Sequence, residues 1–108
     1  MKKRWLNNQG RSGNLVRFEE NDWKKIEEYI KEHGLKKQEY YEKSCTAFLE
    51  YYGQNKDINF VLTPFTKTFV PKTIYLFPDI HSALDEIAEE TGFSIGRIMA
   101  TAVLFLVR

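Results

Sequence analysis

Five cations, Lys2, Lys3, Arg4, Arg11 and Arg17, fall within the first 18 residues, and no carboxylate lies among them. Such a run creates a local positive field of the kind a phosphate backbone attracts. Over the whole chain 16 Lys and Arg oppose 15 Asp and Glu, so the net charge of +1 by itself implies no polyanionic partner. Two further groups stand where helices can begin. Lys36-Lys37-Gln38 adds charge, and Ser94-Ile95-Gly96-Arg97 offers a capping hydroxyl, a glycine that permits close approach and a cation. Free amides and the positive end of the helix dipole favour an anion at such a start. Ser94 reads equally well as an ordinary N-cap.

Little supports catalysis. His33 and His81 lie far apart in sequence, neither has a histidine one helical turn away, and Cys45 is the single cysteine. No zinc-ligand spacing and no internal disulfide follow from that set. Cys45 lies between Tyr41 and Phe48 on an apolar stripe and reads as a core thiol. There is no phosphate-cradling glycine loop. Glu27, Glu28, Glu86, Glu89 and Glu90 read as solvated helix faces. The expectation is a protein that is not an enzyme and uses no metal or cofactor.

The elements that would position these residues occur in a repeated order. Residues 14–19 and 72–77 read as short strands. Helical spacing then runs from Asn21 to His33 and from Asp79 to Thr91, with Asn21 and Asp79 as capping residues. Gly34 and Gly92 suit the left-handed position that closes a helix. Second helices follow over 36–52 and 94–107. A shift of 58 residues superimposes the halves without a gap, pairing Val16 with Ile74, Phe18 with Leu76, Ile26 with Leu84, Gly34 with Gly92 and Tyr40 with Ile98. The identities are few, so this is a repeat of pattern.

The expected organisation is a basic arm over 1–13, a first repeat over 14–52, an apolar connecting segment over 53–70 and a second repeat over 71–108. Ile58 to Leu62 and Phe65 make the connector too apolar for a free linker. It is expected to pack on the body as an extra strand or strap. The run from Ile98 to Val107 is apolar nearly all round but shorter than the roughly 20 residues needed to span a bilayer. It reads as a buried helix that makes a further interface, a homodimer contact, and no membrane association is expected. The start of the chain lacks the apolar stretch of a signal peptide, and the single cysteine suits a reducing compartment, so the expected location is cytoplasmic.

A short strand, a helix closed by glycine and a second helix resembles the ribbon-helix-helix family of DNA-binding proteins, the class of the Arc and methionine repressors. The residues Ile74-Tyr75-Leu76 and Leu84 through Ser94 carry the closer likeness. Val16-Arg17-Phe18 through Leu35 is similar to small relaxosome accessory proteins of mobilisable plasmids. The resemblance implies an α+β, mostly helical fold in which two ribbon-helix-helix repeats pair within one chain through a two-stranded antiparallel ribbon. Its implied partner is double-stranded DNA, read in the major groove by outward strand residues.

With Val16, Phe18, Ile74 and Leu76 turned inward, Leu15, Arg17, Thr73 and Tyr75 become the candidate base contacts. Arg17 can bond the guanine edge through two parallel donors, and Thr73 or Tyr75 can donate or accept. Arg17 also reads as a solvated strand residue and Tyr75 as a cross-strand packing partner. Lys2, Lys3, Arg4, Arg11, Lys36, Lys37, Ser94 and Arg97 are the candidate phosphate contacts. The apolar Leu15 and Phe77 depart from the polar or basic outward positions usual in the family. Leu15 fits a thymine methyl, or the face is covered by residues 58–65. The function expected is a small transcriptional regulator that binds duplex DNA sequence-specifically. The alternatives are an accessory role at a plasmid transfer origin, with a place in plasmid mobilisation, and a protein-interaction module that has lost DNA binding.

Overall fold

Alternation decides the strands. In the computed structural model, which describes residues 5–6, 12–55, 57 and 69–107, Val16, Phe18, Ile74 and Leu76 are buried while Leu15, Arg17 and Thr73 are exposed. Each of the four inward side chains contributes about 1.5–3 kcal/mol by leaving water. A slip of one residue in either strand would turn its pair outward, so the register is strongly specified.

The described elements are β1 (Trp5–Leu6), β2 (Ser12–Phe18), α1 (Glu20–His33), α2 (Lys37–Asn55), β3 (Val70–Leu76), α3 (Pro78–Thr91) and α4 (Ile95–Leu104), followed by a 3-10 turn, Phe105–Val107. The fold is α+β and mostly helical. Two seven-residue strands, β2 and β3, form an antiparallel ladder with Leu15 opposite Thr73, Arg17 opposite Pro71 and Gly13 opposite Tyr75. The two-residue β1 joins the free edge of β2, so part of the expected basic arm is ordered by backbone pairing. The strand β2 begins at Ser12, inside the arm boundary expected at residue 13, and α2 runs three residues past the expected end at residue 52, to Asn55. The strand expected within 58–65 lies outside the described residues.

The bounds of β2, α1 and the start of α2 recur in β3, α3 and α4 with a constant displacement of 58 residues. Both first helices end on a left-handed glycine, Gly34 at φ 61° and Gly92 at φ 80°. The closing bonds differ. Leu35 N–H donates to the Ile30 carbonyl and Gly34 N–H to that of Lys31, whereas Gly92 N–H donates to Ala88. At the second site the Thr91 hydroxyl takes up the Ile87 carbonyl.

Two caps are not those expected. Glu19 caps α1, its carboxylate accepting from Asn21 N–H at 3.0 Å, so Asn21 stands inside the helix. Phe77 stands at the N-cap of α3 without a side-chain hydrogen bond to the helix amides, and Pro78 occupies the first turn, where its missing N–H costs nothing. Asp79 is therefore also inside, contributing charge to the positive helix end rather than a cap. Ser94 does cap α4, accepting from Arg97 N–H at 3.2 Å.

The core is centred on α4, which lies against α2, α3 and β2. Every residue from Ile98 to Leu104 is buried within the single chain. These neighbours meet its all-round apolar character as far as Leu104, while Phe105, Leu106 and Val107 stay partly exposed. Two hydroxyls from α2 tie down its end. Tyr40 Oη donates to the Val103 carbonyl at 2.6 Å, and Ser44 Oγ bridges the carbonyls of Ala102 at 2.7 Å and Val103 at 3.0 Å. The same Ser44 oxygen accepts from Leu106 N–H at 3.3 Å. Carbonyls left over at a helix end are thus satisfied without water.

Candidate nucleic-acid interface

The face of the ladder turned away from the helices carries Gly13, Leu15 and Arg17 from β2 and Pro71, Thr73 and Tyr75 from β3. The parity of the strands puts them there, because the intervening residues are committed to the core. Leu15 and Thr73 form the centre, and Leu15 is 50% exposed.

The two ends differ. At one, the Arg17 guanidinium stands 4.8 Å from the ring centroid of Phe69, which is itself 44% exposed. Pro71, opposite Arg17, has no N–H to give the ladder. At the other end the Tyr75 ring lies across Gly13, so close that a Cβ at Gly13 would fall 2.5 Å from the ring. Only glycine allows that approach. Gln38, from the first turn of α2, donates to the Tyr75 carbonyl and, at 2.8 Å, to Glu42. Phe77 is exposed but sits past the end of β3, at the start of α3.

The second helices begin on different chemistry. At α2 the Lys36 amide donates to the Glu39 carboxylate at 3.1 Å, so one amide is already matched by the chain's own acid. Lys37 reaches the Trp23 ring at 5.9 Å, and Lys72 approaches the same ring at 4.8 Å. At α4 the Ser94 cap takes the Arg97 amide, while the Arg97 guanidinium lies 5.1 Å from the Phe93 ring. Lysine and arginine over an aromatic face keep their charge at the surface while their stems are held.

The structure brings Leu15, Arg17, Thr73 and Tyr75 to one face and puts Lys36, Lys37, Ser94 and Arg97 at the two helix starts. Lys2, Lys3, Arg4 and Arg11 lie outside the described residues. Phe69, Gly13 and Lys72 carry no candidate role in the sequence reading, and Gln38 enters it only within the Lys36-Lys37-Gln38 helix start. Extending the strand parity by two residues from Pro71 points to Phe69, although it lies just before β3.

Cys45 is completely buried, and burial pushes its thiol well above the ordinary range. Among the described residues no three His, Cys, Asp or Glu side chains gather as a metal site, and no single helix is long and apolar enough to cross a membrane. Comparison of the chain with known protein families, curated proteins and solved structures finds no significant match.

Proposed function

We propose that this chain is a sequence-specific double-stranded DNA-binding protein of the ribbon-helix-helix type, with both repeats paired inside one molecule. The outer face of β2 and β3 enters the major groove, whose width of about 12 Å accepts a two-stranded ribbon. The observation that carries this reading is the outward Arg17 beside exposed Thr73 and half-exposed Tyr75 on the ladder. Arg17 suits guanine O6 and N7, and Leu15 suits a thymine methyl. The starts of α2 and α4 hold Lys36, Lys37 and Arg97 as phosphate contacts, which set position rather than sequence. A small transcriptional regulator is the simplest biological setting. A transfer-origin accessory factor would use the same contacts.

A second reading rests on the exposed Leu15 and Phe69, which give the same face an apolar character. It makes the ribbon a docking surface for another protein.

Selection from a random duplex pool, followed by titration of the winner at several salt concentrations, tests the proposal. The expected result is an enriched motif whose log affinity falls with log salt by about 0.9 for each phosphate contact. Failure to retain any duplex at low salt would leave the protein-docking reading in its place.

A further inference from the structure

We propose that Phe69 is a positioning residue for Arg17, and that one chain therefore reads a non-palindromic duplex element in a single orientation. The inference rests on the outer face of the ladder being the DNA-reading surface.

Arginine has a flexible stem, and a bidentate contact needs its planar fork held in one direction. The Phe69 ring, 4.8 Å from the Arg17 guanidinium, supplies that hold. Both groups are exposed, so the guanidinium stays accessible while it rests over the ring. Among the described residues, the opposite end of the face shows no second cation held over a ring. The residue displaced by 58 from Arg17 is Tyr75, and its ring rests on Gly13. One end thus presents a cation held over a ring and the other the Tyr75 ring laid over Gly13, with the Tyr75 backbone carbonyl held by Gln38. Identical strands would favour a two-fold symmetric site. These strands ask for guanine at one end only.

The full-length chain and three variants, Phe69→Leu, Phe69→Tyr and Gly13→Ala, would each be put through duplex selection, with thermal melts to verify folding. Arg17→Ala serves as the reference for complete loss of that contact. The wild type should select an asymmetric element with guanine at one end. Phe69→Leu should reduce preference for that guanine by about two- to fivefold, the effect of losing an exposed cation–π contact, and leave the other end unchanged. Phe69→Tyr should restore it. Gly13→Ala, which displaces the Tyr75 ring, should change preference at the other end alone.

A palindromic one-chain element would overturn the proposal. So would an unchanged guanine preference in folded Phe69→Leu, or equal loss at both ends. A selective wild type indifferent to Arg17→Ala would also overturn it, by placing the reading surface elsewhere. No selection by any variant, wild type included, would instead be the failure of the DNA-binding reading.

Discussion

Leu15 and Thr73 face each other at the middle of the β2–β3 ladder, and they are separated in sequence by 58 residues, the displacement that relates the element bounds of the two halves. A two-fold axis through this pair would exchange β2 with β3, α1 with α3 and the starts of α2 and α4. A displacement and an antiparallel register of matching parity always have such a central pair. That it falls at the midpoint of both seven-residue strands is the informative part.

The first prediction follows from this mutual dependence. The inward residues of β2 pack with α4, and α2 packs against β3, so neither half has a core without the other. Fragments 1–56 and 57–108 should each be largely unfolded alone, since a unit of that size buries too little surface. Mixed in equal amounts, they should regain helical circular dichroism. A fragment that unfolds cooperatively by itself would show that the halves are independent.

The α2 hydroxyls allow a sharper energetic test. Tyr40→Phe and Ser44→Ala should each destabilise the fold by about 1–3 kcal/mol, because each removes a donor from a buried carbonyl. Both donate to Val103, so the pair should be non-additive by at least roughly 0.5 kcal/mol in denaturant melts. Simple additivity would mean that the shared carbonyl does not couple them.

Alkaline pH should unfold the protein through its buried phenols. The hydrogen bond from Tyr52 Oη to the Glu90 carboxylate, 2.7 Å long, together with burial, pushes that phenol up to about 12. Burial, with the nearby Glu27 charge, does the same to Tyr41, also to about 12. The unfolded chain loses these protons near pH 10 and the native chain does not. Their stabilisation is therefore complete below pH 10 and declines between about 10 and 12. Tyr52→Phe should flatten the decline, read as stability against pH in urea. Phenolate absorbance rising in full near pH 10 in the native protein would contradict the assignment.

Strand parity, helical stripes and the two closing glycines were legible in the sequence because each depends on local geometry. Period-2 alternation placed Val16, Phe18, Ile74 and Leu76 inside. The caps are less legible, because at both helix starts a favourable residue type stands two positions inside the helix. Asn21 is a better intrinsic cap than Glu19, but the first turn forms two residues earlier and the Glu19 carboxylate accepts from the Asn21 amide. The surroundings of α4 were not legible at all. Composition reveals that Ile98–Leu104 must be buried but not that α2, α3 and β2 together suffice. Likewise, Arg17 was identifiable as a candidate contact, whereas its stacking on Phe69 depends on how the chain enters β3.

The paired glycines give the last prediction. Gly34 and Gly92 both adopt positive φ, 61° and 80°, and a Cβ added at either would meet nothing within 4 Å. Space is therefore irrelevant, and Gly→Ala at each should cost only the strain of a left-handed alanine, about 1–2 kcal/mol. Asn, which tolerates that conformation better, should cost less at both positions. The hydrogen bonds that close the helices differ, but they are backbone donors that alanine or asparagine also provides. The two sites share no hydrogen-bond partner, so the double variant should show the sum of the single losses in denaturant midpoint. A much larger cost at one glycine would mean that one turn has a further task, such as contact with a ligand backbone, that the other lacks.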